Sequence, residues 1–282
     1  MAFRRSTGLR NKLLGKEINI LSNPTFDSGT SGWSTTNATL ASVAGGYSGN
    51  MAEVTNSSTS KGQMYQIVNV KVGREYRFEG YIKAGTSSVR LMIGTPTTPD
   101  LYYDSGVYAD NANWGHQVYY FEATDSQVQI TVQLESTTSG DNGYADGMYL
   151  YDEASSIKEI FKNGKIKIYS GTQPASANDA PTGTLLVTIT VNGTSQGISF
   201  GEASNGSISK NPTEVWSGTA VASGTAGWFR LQTYGDTESL SEVDERIDGA
   251  IATSGAELNM SNTYISAGAV QTISVFDITI NP

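Results

Sequence analysis

The chain has 282 residues, a formal net charge of −9, no cysteine and a single histidine. That length suffices for two ordinary domains, each with its own core. The missing cysteines exclude disulfides and thiolate metal sites, which leaves packing, assembly or an oxygen-ligated ion as sources of stability. An acidic balance argues against a general nucleic-acid binder, which needs a basic face. Only 16% of residues are charged while 31 are glycine, a composition suited to short strands joined by tight turns. No apolar run approaches the ~20 residues that cross a bilayer. The basic start, Met1 to Arg5, is not followed by the apolar stretch of a cleaved export signal.

Residues Ser6 to Gly15 read as a short helix, with Ser6 or Thr7 as cap, Leu9, Leu13 and Leu14 as one apolar face, and Gly15 as stop. Such a helix is too short to stand alone in water and must pack on something. Arg4, Arg5, Arg10, Lys12 and Lys16 crowd this segment while acids are spread over the remainder. A basic arm on an acidic body suits docking on a neighbouring acidic surface, so Arg4, Arg5, Arg10 and Lys12 are candidate assembly contacts; a solvated helix end is the plainer reading.

From about Glu17 to Glu153 the pattern is one of alternating strands between turn clusters. Gln66 to Val72, a Gly73-Arg74 turn and Glu75 to Ile82 suggest two strands around a tight turn. Ser88–Ile93, His116–Glu122, Gln127–Leu134 and Met148–Asp152 follow. Many alternating strands without helices between them predict a β-sandwich or jelly roll. A second helix is predicted from Ser156, with Ile157, Ile160 and Phe161 on one side and Asn163-Gly164 as stop. Strands resume at Lys165–Tyr169, Thr184–Val191, Ala226–Tyr234, Arg246–Ile251 and Thr272–Ile280, giving a second all-β, sandwich-like domain with the two short helices.

Two resemblances interlock. Leu21-Ser22-Asn23-Pro24-Thr25-Phe26-Asp27-Ser28-Gly29 with Trp33, the Gln66-Ile67-Val68 strand, Gly73-Arg74-Glu75-Tyr76, Trp114 and Ala145-Asp146-Gly147-Met148-Tyr149-Leu150 resemble, in order, carbohydrate-binding modules of the family 4/9 jelly-roll type. The flanks are similar to a tailed-bacteriophage structural protein family: Ser6-Thr7-Gly8-Leu9-Arg10-Asn11, then Gly164 to Ala175, Ser209-Lys210-Asn211-Pro212, Val215-Trp216-Ser217-Gly218, Ala226 to Arg230 and Ile251 to Met260. The second resemblance implies that 17–153 is a jelly roll inserted into a split virion-anchoring domain made of 1–16 and 154–282. It implies a virion protein that contacts other phage structural proteins and is present as a homo-oligomer or in many copies, either as a capsid decoration or minor head protein or as a tail adaptor or fibre component. A secreted carbohydrate-binding module and a virion-borne glycan depolymerase are the alternatives.

Enzymatic constellations are poor. His116 reads as a surface strand residue, no phosphate loop with its lysine is present, and Asp141, Asp146, Asp152 and Glu153 fit turn and edge positions. The expectation is a non-enzyme. The first resemblance implies a structural calcium shared by Asp27 and Asp146, with backbone carbonyls completing the shell; Asp27 capping a turn is the alternative. Glycan binding needs exposed rings, and the non-periodic stretch Asp100 to Asn113 offers Tyr102, Tyr103 and Tyr108, which could equally serve a protein contact. Trp33, Trp114, Trp216 and Trp228 read as packing residues.

Overall fold

A computed structural model describes residues 3–279. The predicted strand end at Ile280 lies outside the described residues, as do Met1 and Ala2 of the basic start. The chain divides into two compact units, Glu17–Glu153 and a second made of Met1–Lys16 with Ala154–Pro282. Each is built of strands, in keeping with the composition, and among the described residues helices are confined to two short segments.

The discontinuous unit begins with Arg4–Arg5 (β1) and the helix Thr7–Leu13 (α1). Ser6 caps α1 by accepting the Leu9 amide at 3.2 Å, as its position before the helix predicts. The expected three-leucine face is not what packs. Leu9 is fully buried, but Leu13 is 36% and Leu14 85% exposed. The helix approaches the rest of its unit through Gly8, where an added Cβ would lie 2.3 Å from the Val243 carbonyl, so only one turn of its surface touches the core.

In the continuous unit the strands are Ser34–Thr36 (β2), Ala38–Ala44 (β3), Asn50–Asn56 (β4), Gln63–Asn69 (β5), Glu75–Ala84 (β6), Val89–Gly94 (β7), Tyr103–Asp104 (β8), Gly115–Glu122 (β9), Gln127–Leu134 (β10) and Asn142–Asp152 (β11). They form two five-stranded antiparallel sheets, β2-β5-β10-β7-β8 and β3-β4-β11-β6-β9. The two strands that flank the Gly73-Arg74 turn, β5 and β6, lie in different sheets. Between them the chain crosses the sandwich edge, held by the Val70 amide on the Ser126 carbonyl and the Gly73 amide on the Ala123 carbonyl, with Gly73 at φ 79°. The core is the inward set of both sheets, among them Phe78, Ile82, Leu91, Ile130, Val132 and Leu150. The entry motif joins it: Phe26 is fully buried against Trp33 at a ring separation of 5.4 Å.

The two ends of this unit are neighbours. Asn19 bridges Tyr151, the Ile20 amide donates to the Leu150 carbonyl at 2.9 Å, and Arg77 pairs with Glu17 and with Glu153, each at 3.0 Å. Adjacent ends are the geometry that lets a domain sit inside a loop of another.

The chain then re-enters the discontinuous unit with Ile157–Ile160 (α2), opened by a Ser156/Glu159 capping box. Its strands are Lys165–Ser170 (β12), Leu185–Val191 (β13), Ser207–Ser209 (β14), Trp216–Thr219 (β15), Gly224–Gln232 (β16), Arg246–Ala252 (β17), Leu258–Asn259 (β18), Tyr264–Ile265 (β19), Val270–Ile273 (β20) and Asp277–Thr279 (β21). The main sheet runs β1-β17-β16-β12-β13-β15-β20. The predicted strand from Thr272 is two strands, broken at Ser274–Phe276. Trp216 and Trp228 are fully buried, as expected of packing residues. The same unit holds two buried ion pairs, one of them beside Trp228. Arg230 grips Asp248 with two hydrogen bonds of 2.8 and 2.7 Å, and Arg246 grips Asp236 with two of 2.6 Å. All four side chains of these pairs are shut off from solvent.

Candidate functional site

Strand β10 alternates without a fault. Val128, Ile130, Val132 and Leu134 enter the core, so Gln127, Gln129, Thr131 and Gln133 line the outer face of its sheet. Register places β5 and β7 residues beside them in rows: Ile67, Gln129 and Gly94; Tyr65, Thr131 and Met92; Gln63, Gln133 and Arg90. The result is a strip of amides and hydroxyls flanked by Tyr65 and Met92.

The middle of the strip is deeply set. Gln129 is 5% and Thr131 0% exposed, and they share a bond from Gln129 Nε2 to Thr131 Oγ1 at 2.9 Å. The loop after β7 forms a wall at one end: an added Cβ on Gly94 would lie 2.1 Å from the Thr98 carbonyl oxygen. At the other end Arg90 is fixed between Glu135 (2.9 Å) and Asp104 (2.5 Å), and Lys61 reaches Glu135 at 2.6 Å. Glu135 is partly desolvated, yet the hydrogen bonds from Lys61 and Arg90 outweigh this and hold its carboxyl below the usual range. The half-buried amides of Gln63 and Gln133, beside the Tyr65 ring and the fixed Arg90, can meet a flat, hydroxyl-rich, uncharged ligand, while the buried Gln129–Thr131 bond stiffens the floor beneath them.

The opposite face is more aromatic but spends its rings on each other. Tyr47 stacks on Tyr81 at 3.7 Å and Tyr81 on His116 at 4.5 Å. Tyr81 is pushed up to about 12, chiefly by its hydrogen bond with Tyr47. His116 lies exposed on the strand surface, where it meets Glu79 at 3.1 Å and stacks on Tyr81.

Tyr102, Tyr103 and Tyr108 are half-buried rather than exposed. Tyr102 stacks on Phe121 at 4.7 Å and Tyr103 on Tyr119 at 4.4 Å, while the Tyr108 ring fills the space over Gly115 and its hydroxyl donates to the Asn113 carbonyl. One ring face of Tyr102 and of Tyr103 is therefore already covered, because the loop folds down onto the sandwich. Trp114 is half-buried too, with the Lys83 ammonium 5.0 Å from its ring centre.

Asp27 and Asp146 meet at one turn. Asp27 Oδ1 accepts the Asn50 amide and Asp146 Oδ2 the Ser48 amide, both at 2.9 Å. A Cβ on Gly46 would touch the Asn50 carbonyl oxygen at 2.5 Å and Asp146 Oδ2 at 2.7 Å. Burial pushes the Asp146 carboxyl up, and the charge on Asp27 adds to this; Asp27 itself is held low by the Asn50 amide. Among the described residues neither carboxylate has a lysine or arginine ion pair, and no group of three acidic or histidine side chains converges. Two carboxylates and nearby carbonyls form an oxygen donor set that fits a hard cation. The assembly candidates are scattered. Arg4 and Arg5 are exposed on β1, where the Arg4 guanidinium donates to the Pro174 carbonyl, and Arg10 donates to Thr7 Oγ1 at 3.1 Å. Lys12 is half-buried on α1.

Comparison with known families bears on the continuous unit. Residues 18–144 match the family model described as carbohydrate binding domain, of the 4/9 type. The continuous unit carries a carbohydrate-binding domain. Among solved structures, the domain is similar to a family 16 carbohydrate-binding module (17% identity, 47% of this chain and 99% of that one, TM-score 0.37) and to a structure titled CBM4 structure and function (19%, 47% and 99%, 0.38). It is also similar to part of the enzymatically active domain of tailspike protein 4 of bacteriophage CBA120 (12% identity, 47% of this chain and 21% of that one, TM-score 0.39). No curated protein matches the chain. The amide strip of the carbohydrate-binding domain escaped the sequence reading. Its signal was there, in four polar residues facing outward on a strand whose other face is wholly apolar.

Proposed function

We propose that the protein is a non-enzymatic structural component of a tailed-phage particle that binds glycan along the outer face of β2-β5-β10-β7-β8. The observation that carries the glycan reading is the row of half-buried Gln63, Gln133 and Arg90 with Tyr65 beside it, inside a unit that matches a carbohydrate-binding family. Amide and guanidinium groups bond sugar hydroxyls, and Tyr65 offers a ring for a pyranose face. Tyr102, Tyr103 and Tyr108 contribute by holding the adjoining loop in place. Affinity per site is modest, and many copies on one particle supply avidity.

The phage assignment rests on the collinear motifs of the discontinuous unit, which this reading makes the anchor to other virion proteins. A glycan array probed with the full chain tests the first part. Binding is expected, and Gln133→Leu should weaken it about fivefold, the value of roughly 1 kcal/mol per hydrogen bond. A blank array, or a Gln133→Leu protein that binds as well as the original, refutes the site. Mass spectrometry of purified particles tests the second part, and the copy number per particle separates head from tail.

We also propose that Asp27 and Asp146 hold a calcium ion, with carbonyls of the 46–50 turn as further ligands. The ion would offset the cost of burying Asp146 next to a second carboxylate.

A further inference from the structure

The seven-strand path of the main sheet, from which β18 and β19 branch at β17 and β16, has two ends, and they are finished differently. At one end β1 exposes Arg4 and Arg5, the charged ending that prevents edge-to-edge pairing. At the other end β20 pairs only with β15 among the described residues. It carries no charge, proline or bulge. Val270 is 65% and the following Val275 70% exposed. The whole run from Leu258 to Phe276 contains no Asp, Glu, Lys, Arg or His.

Alongside this edge lies a cleft of about 490 Å³, lined by Leu258, Met260, Tyr264, Ile273 and Val275 with Ile168. One wall is β20 with the residues after it, and the other is the 258–264 segment. Free backbone N–H and C=O groups on an open edge are a template for another strand. A strand entering here would meet side chains that are neutral.

We propose that β20 is a homotypic docking edge, through which two copies of the chain pair antiparallel, β20 to β20, about a two-fold axis. Charge selects the occupant. Two copies of a chain with net charge −9 repel over most of their surfaces and can approach closely where acids are absent. A two-fold contact also needs a self-complementary surface, and an antiparallel strand edge is one. Each copy's Val270 and Val275 are then covered by the other. This inference does not depend on glycan recognition, which belongs to the other unit.

Sedimentation equilibrium of the full chain tests it. The original protein should be a dimer. Thr272 is exposed on β20, so Thr272→Lys and Thr272→Glu should each fold and each be monomeric, because identical charges face one another across the axis. An equimolar mixture of the two should restore the dimer, which misfolded variants could not do. Soluble-oligosaccharide affinity should be unchanged in both. A monomeric original protein, a variant that still dimerises, or a mixture that stays monomeric would each overturn the proposal.

Discussion

Ser6 is a fully buried residue with three hydrogen-bonding duties. It caps α1, its hydroxyl donates to the Asp244 carbonyl at 2.6 Å, and its oxygen accepts the Arg246 amide at 3.0 Å. Loss of a cap costs about 1 kcal/mol, and a buried amide left without an acceptor costs roughly 1–3 kcal/mol more. Ser6→Ala should therefore destabilise the discontinuous unit by about 2–4 kcal/mol, measured by urea unfolding. Asp146 works in the opposite sense. Its folded-state carboxyl is shifted upward by burial and by Asp27, so its contribution to stability is present below the unfolded value of about 3.9 and is lost as pH rises through the shifted one. A bound cation reverses that loss. Calcium should thus raise the thermal midpoint at pH 7, do so much less near pH 4, and do nothing for Asp146→Asn. Identical melts in calcium and EDTA at pH 7 would remove the ion from the account.

At the scale of elements, what was legible depended on contrast between the two faces of a strand. β10 was read correctly because Gln, Val, Gln, Ile, Thr, Val, Gln and Leu alternate completely. β3, Ala-Thr-Leu-Ala-Ser-Val-Ala, was missed because small residues give almost no contrast. Pairing was harder still. β5 and β6 alternate well and flank a Gly73 turn, but whether a turn closes a hairpin or crosses between sheets is decided by distant partners such as Ser126 and Ala123. The polar strip on β10 needed the same non-local information. Its polar residues were visible, yet their desolvation comes from β5, β7 and the wall over Gly94. The tyrosine loop failed for the converse reason. It has no periodicity, which suggested exposed rings, while Phe121 and Tyr119 draw two of those rings down onto the sandwich. The clamp formed by Arg77 should be felt at this scale. Its guanidinium meets Glu17, Glu79 and Glu153, each at 3.0 Å, and sits 4.6 Å from the Tyr151 ring centre. Arg77→Ala should loosen both terminal segments of the carbohydrate-binding domain, seen as faster amide hydrogen exchange at Ile20 and Leu150 with the Phe78 and Ile82 amides unchanged.

At the scale of the whole molecule, the two units keep separate cores, so each should respond to its own perturbations. Joining Lys16 directly to Ala154 through a short glycine-serine linker should leave a protein that still unfolds cooperatively. That shortened chain should lose all glycan binding and keep the self-association assigned to β20; if it unfolds without cooperativity, the units are not independent. The side-by-side placement of Asn19 and Tyr151 has an evolutionary corollary. A guest whose entrance and exit touch can be exchanged between genomes as one cassette, so a lineage could replace this unit in a single recombination event while the strands of the host unit stay as they were.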